Sequence, residues 1–311
     1  MSSINTNYAA MSALQNLQQT SKQMLEVQNR ISSGFKVANA EDNAAYWSIA
    51  TTMRSDNKAL STVQDALGLG SATVNVAYTA VKSSIDIVSE LKAKLVAARE
   101  PGLDRTKIQT EVKELQNQLK SISDSASFSG QNWLSVDSSS AGYNATKSIV
   151  ASFTRDSAGA VTVGTIAVDT AKTKLYDSST TAAGILDASR DATGAVAATG
   201  ASVDSLDISA LTDSAADLAT LDGYIKGADK AISEMTSAAT SLGSEKKRIS
   251  LQSDFVTALK GAIDAGIGQL VDADMNEEST KLQALQVKQQ LGVQSLSIAN
   301  QSSQNILALF R

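Results

Sequence analysis

The sequence predicts a mainly α protein: a long antiparallel helical rod or coiled coil formed by both chain ends, with a small β-containing insertion between them. Three observations predict it. Apolar residues recur at alternating spacings of three and four through both terminal thirds, which is the period of a helix seam and not of a strand. Only 4% of the 311 residues are aromatic and Pro101 is the sole proline, so the chain lacks the large rings that usually fill a compact core. Between 141 and 207 the composition shifts to Ser, Thr, Ala, Gly and Asp, the residues of turns and loops.

The first helix is read from Ala10, Leu14, Leu17, Ser21, Met24, Gln28, Ile31 and Phe35, one narrow stripe in a polar sequence. Such a helix needs a partner before burial outweighs the entropy of ordering it. A far longer seam follows: Ile49, Met53, Asp56, Leu60, Val63, Leu67, Gly70, Val74, Ala77, Val81, Ser84, Val88, Leu91, Leu95 and Ala98. A helix from about 44 to 99 would extend roughly 84 Å at 1.5 Å per residue. It stops at Glu100-Pro101-Gly102, and Asp104 is placed to cap a returning helix with the stripe Ile108, Val112, Leu115, Leu119, Ile122 and Ala126.

In the insertion, Ser148 to Thr154 alternates around Ile149 and Phe153. A turn at Arg155 to Gly159 then leads to Val161, Val163, Ile166 and Val168, which together predict a β-hairpin on a weak core. Helical spacing resumes near 210 and runs from Leu218 through Met235, Ile249 and Val256 to Leu270, the partner the early rod requires. Past Asp272-Ala273-Asp274, read as a helix junction, the seam continues through Leu282, Leu285, Gln289, Gly292, Leu296, Ala299, Ser303, Ile306 and Phe310. A second stripe of Val287, Leu291, Ile298 and Leu307 covers another face, which one partner helix would leave wet. Packing against other copies of the chain is therefore expected, with Leu14, Leu17, Met24, Ile31 and Phe35 meeting Leu282, Leu285, Leu296, Ala299, Ile306 and Phe310. The expected division is 1–42 with 272–311 as a terminal coiled-coil domain, 43–140 with 208–271 as a helical rod, and 141–207 as a variable surface domain.

Function classes are narrowed by what the chain lacks. It has no cysteine and no histidine, which removes disulfides, most zinc and iron ligand sets, and the commonest nucleophile and general base. No catalytic, cofactor-binding or metal site is expected. A net charge of −5 disfavours a nucleic-acid partner, and no apolar run approaches a membrane span. No positively charged leader precedes the first lysine, Lys22, which leaves a cytoplasmic protein or one exported by a route that needs no cleaved signal peptide. Gly68-Leu69-Gly70 lacks the third glycine of a dinucleotide fingerprint, and the stretch from Asp272 has Glu277 where a calcium loop needs glycine.

The two ends carry a set of motifs. At the start these are Ile4-Asn5-Thr6-Asn7, then Asn29-Arg30-Ile31-Ser32-Ser33-Gly34-Phe35-Lys36-Val37 followed by Ala40-Glu41-Asp42-Asn43-Ala44-Ala45, and Phe128-Ser129-Gly130. At the end they are Ala299-Asn300-Gln301 and Gln304-Asn305-Ile306-Leu307-Ala308-Leu309-Phe310-Arg311. On these residues the chain resembles bacterial flagellins, of an alphaproteobacterial type, over about 1–135 and 215–311. The resemblance implies a structural subunit of the bacterial flagellar filament that self-assembles into a tube for swimming motility. It also implies an extracellular location and partners among other flagellins, the flagellar type III export apparatus, an export chaperone, and filament cap and hook-associated proteins. A hook-filament junction protein and a secreted coiled-coil adhesin are the alternative readings.

Two departures from the family pattern bear on immune receptors. An arginine of animal-pathogen-like flagellins falls on Ile87 here, while Leu91 and Glu111 keep the pattern, so poor recognition by the vertebrate receptor is expected. Phe35, Val37, Ala38, Glu41, Asn43, Tyr46 and Trp47 depart within the segment that corresponds to the plant receptor's epitope, and weak plant recognition is expected too.

Overall fold

Helix starts and stops follow local chemistry throughout. Asn7 caps α1 (Tyr8–Ser33) by accepting from the Ala10 amide at 3.0 Å, and Gly34, at φ 76°, ends it by donating back to the Arg30 carbonyl. Asp42 then accepts from the Ala38 and Asn39 amides, and Asn43 caps α2 (Ala44–Ala97) by accepting from the Tyr46 amide. Pro101 and Gly102, at φ 82°, turn the chain, and Asp104 caps α3 (Arg105–Ser125) as its position in the sequence predicts. The remaining helices are α4 (Ala215–Val271) and α5 (Met275–Ala308), with Asp274 capping α5 through the Asn276 and Glu277 amides. The structure, a computed structural model, describes residues 7–179 and 182–308, apart from the side chains of 302–308. The expected mainly α class with a small strand-bearing middle is what forms.

The chain divides into two compact units, Met1–Lys58 with Lys260–Arg311, and Ala59–Leu259. In the first, α1 and α5 lie antiparallel, since Asn7 Nδ2 donates to the Ala299 carbonyl at one end while Arg30 pairs with Glu278 at the other. The segment between α1 and α2 straps the C-terminus of α4. The Val271 carbonyl accepts from the Lys36 and Val37 amides, the Gln269 carbonyl accepts from Lys36 Nζ, and Phe35 bridges to Asp272. These bonds satisfy carbonyls that the end of a helix leaves without partners. Beneath them Val37, Ala50, Ile267 and Val271 form a small core joined by Phe35, Met53, Ile263 and Leu270.

In the second unit α2 and α4 are antiparallel in one register. Gln64 meets Thr257, Asn75 meets Lys246, Lys92 meets Asp229 and Arg99 meets Asp222, so each step along one helix is matched by an equal step back along the other. The expected α2 seam is buried at every position from Leu60 to Ala98. Before Leu60 it slips: Ile49 faces solvent and Ala50 is buried, because the strap's Val37 fills the space that only a small side chain leaves. Arg105 locks the turn between α2 and α3 to the start of α4, donating to the Ala98 and Leu211 carbonyls and pairing with Asp213 at 2.6 Å.

The middle segment opens with β1 (Ser127–Phe128) and β2 (Gln131–Asn132), joined by a two-residue turn in which Ser129 and Gly130 both have positive φ. Next, β3 (Ser135–Val136) pairs in parallel with β6 (Tyr176–Asp177). The expected hairpin is present as β4 (Thr146–Arg155) and β5 (Val161–Asp169), with a register shift between Val150 and Ser152. Its inner face lies on the helices: Ile149 abuts Gly70, Gln252 donates to the Ala151 carbonyl and Arg248 to that of Ala167. The expected weak core is corrected here. Leu134, Leu175, Leu186 and Ile208 are fully buried, and Gln116 of α3 reaches the Val203 and Leu206 carbonyls beneath the loops. Loops that fold back on themselves carry no period, so spacing alone gave no sign of this core.

Candidate assembly interface

The α1/α5 pair is built on a seam of Ala10, Ala13, Leu17, Thr20, Met24, Val27 and Ile31 facing Glu278, Leu282, Leu285, Gln289, Gly292, Leu296 and Ala299. Both sets keep three-four spacing. Gly292 lets the backbones approach, because a Cβ there would sit 3.3 Å from Leu17 Cδ1. The Thr20 hydroxyl is buried but donates to the Asn16 carbonyl, so it adds no unpaired polar group to the seam. Charges close the Arg30 end: Arg30 bonds Glu26 at 2.6 Å and lies 3.5 Å from Glu278, whose other neighbour, Lys281, is held above its usual pKa by Glu277 and Glu278.

Of the expected packing residues, Leu17, Met24, Ile31, Leu282, Leu285, Leu296 and Ala299 come together in this seam. Leu14 and Phe35 do not. Leu14 is 46% exposed, and its expected place is taken by Ala13, one residue earlier in the same repeat. Phe35 lies past the Gly34 cap, in the strap, where the Arg54 guanidinium stacks 4.9 Å from its ring. Ile306 and Phe310 fall outside the described side chains. Asn7, Ala13, Thr20, Val27 and the Arg30–Glu278 pair are the residues that sequence reasoning missed. Ala13, Thr20 and Val27 also fit a three-four repeat with Leu17 and Met24, but the larger Leu14 drew the stripe to the wrong phase.

The outer faces of the pair remain open. Val287, Leu291 and Ile298 of α5 are 56%, 61% and 65% exposed, on the side away from α1. On α1, Tyr8, Met11, Leu14 and Leu25 are likewise exposed. A monomer rarely leaves so many large apolar side chains clustered in water. Ile87 and Leu91 are buried within the second unit, and Glu111 is exposed and bonded to Lys94 at 2.6 Å. Among the described residues there is no cluster of three potential metal ligands, and no helix long and apolar enough to cross a membrane.

Paired terminal helices with bare apolar outer faces are the surface of a subunit that packs against others. Comparison with known proteins places it. Residues 4–139 match the bacterial flagellin N-terminal helical region and 225–310 match the C-terminal helical region. Flagellin C of Rhizobium meliloti strain 1021 is 52% identical over 326 aligned residues, covering all of both chains. Flagellin A of the same strain is 44% identical over 396, and a flagellin of Brucella melitensis biotype 1 is 41% identical over 312, again covering both chains fully. This chain belongs to the flagellin family. It is a structural subunit of the extracellular flagellar filament, it assembles with flagellins, and it is not an enzyme. Neither comparison points to a junction protein or an adhesin.

Proposed function

We propose that the α1/α5 pair is the polymerising element, in which the inner seam shapes each subunit and the outer stripes join it to its neighbours. The observation that carries this is the exposure of Val287, Leu291 and Ile298 on a helix whose opposite face is already occupied. Burying each such side chain contributes about 1.5–3 kcal/mol, repeated at every copy. In this reading 1–42 with 272–311 form the inner layer of the filament, 43–140 with 208–271 the rod around it, and 141–207 the surface. Leu291→Asp should leave a soluble, fully helical subunit that forms no filaments, and deletion of 300–311 should do the same. Electron microscopy showing normal filaments from either variant would sink the proposal. Family membership further supports an export route through the flagellar type III apparatus, with an export chaperone and the cap and hook-associated proteins as partners.

The positions that bear on immune receptors belong to the same reading. An apolar Ile87 offers no charge-assisted contact where related flagellins carry arginine, and its burial removes it further from a receptor. Purified subunit is expected to give at least about a tenfold weaker response in a vertebrate receptor reporter assay, equivalent to ~1.4 kcal/mol of lost binding. Full potency would refute this. The synthetic 29–50 peptide is expected to give a weak oxidative burst in plant tissue, and a normal burst would refute that expectation.

A further inference from the structure

The second unit carries a hole on one side of the β4/β5 hairpin and a knob on the other. The hole is a groove of about 440 Å³ whose walls are Ala66, Leu69 and Thr73 of α2, Phe128 at the β1–β2 turn, and Lys147 and Ile149 of β4. The knob is Leu251 and Phe255, one turn apart on α4 and 57% and 59% exposed. Both lie at one level, because the Gln64–Thr257 and Asn75–Lys246 contacts bracket Ala66 to Thr73 on α2 and Leu251 to Phe255 on α4. The hairpin sits between them, touching α2 through Ile149 at Gly70 and α4 through Ala151 and Ala167.

We propose that the groove receives Leu251 and Phe255 of a second copy, so that neighbouring subunits dock side by side, knob into hole, at the level of the hairpin. This rests on the filament reading. Two different patches of one chain that fit each other make a head-to-tail contact, and such contacts close into rings or run on as helical polymers, where self-complementary ones stop at a dimer. Charge also matches. Lys147 lines the hole, half-buried with its ammonium group 5.8 Å from the centroid of the Tyr143 ring, and Asp254, beside the knob, is exposed with no ion pair among the described residues. The α2 wall and the knob fall within the family-matched regions, whereas β4 lies between them at 146–155. The β4 wall is therefore the part of the contact that lies outside both family-matched regions.

The chain has no cysteine, so single thiols can report the contact. Leu69→Cys and Phe255→Cys subunits, purified separately, are mixed, polymerised with excess wild-type chain and treated with a short bismaleimide. Covalent dimers are expected only in filaments holding both variants, and in neither the unpolymerised mixture nor filaments holding one variant. Lys147→Asp should slow polymerisation at least about tenfold, and adding Asp254→Lys in the same chain should restore most of the rate. Filaments that contain both thiol variants yet give no dimer would overturn the docking. Wild-type chain that never polymerises would instead bring down the filament reading itself.

Discussion

Lys174 and Asp177 form the most enclosed charge pair in the middle segment, at 2.5 Å, with 11% and 0% of their side chains exposed. Burial opposes the Asp177 charge, but the ammonium group, the Ser138 hydroxyl and the amides of Ser138 and Ser179 outweigh it and hold the carboxyl well below the usual carboxylate range. A depressed folded-state pKa adds stability above the ordinary value that is lost as pH falls through the folded one. Removing the cation leaves a buried carboxylate held only by neutral donors, so Lys174→Met should cost about 3 kcal/mol at neutral pH. Thermal melts taken from pH 7 towards 3 should show that cost shrinking as Asp177 of the variant takes up a proton. A constant difference across that range would count against the pairing. Nothing in the sequence announced this pair, because two charges three residues apart read as a solvated turn unless the enclosing loops are known. Leu14 shows the same limit in an apolar residue: size suggested burial, but the helix phase decided it.

At the level of elements, caps and seams were legible because each follows from a local rule. Asp104 sits where an orphan amide needs an acceptor, as its place in the sequence predicts, whereas Gly34, at positive φ, ends α1 inside the stripe that spacing carries on to Phe35. The α2 seam held for about eleven turns because its partner runs in one register, so nothing shifted its phase. Two glycines in helix interiors separate packing from propensity. A Cβ added at Gly68 would meet nothing within 4 Å, so Gly68→Ala should stabilise by about 1 kcal/mol and raise the melting temperature by several degrees. Gly292 faces Leu17, so Gly292→Leu should force α1 from α5 and abolish filaments even though it favours the helix intrinsically. Circular dichroism and electron microscopy of the two variants should give opposite results, and equal behaviour would mean that the seam does not discriminate size.

On the scale of the whole molecule, the segment at 141–207 is fastened to the helices of the second unit. It supplies both acceptors for buried Gln116, the Arg190 that pairs with Glu234 of α4 at 2.6 Å, and the strand over Gly70. Replacing it with a short Gly-Ser linker should therefore destabilise what remains by at least about 2 kcal/mol, since the apolar helix surface it covers, at Gly70 among other places, would be returned to water. Urea unfolding followed by circular dichroism is the measurement, and an unchanged midpoint would make the segment ornament. The composition of this segment marks it off in the sequence but does not show that it is fastened, because the fastening is made by side chains reaching into loops.

The contact between Asn7 and the Ala299 carbonyl spans nearly the entire chain. α1 thus completes its fold with a helix 292 residues further along the chain, and contacts between such distant residues form slowly. As the chain is synthesised N-terminus first, α1 stays half-finished until α5 exists. That order acts as a clock: α1 gains its partner only once α5 exists, and a chain cut short before α5 has no finished pair of helices to offer.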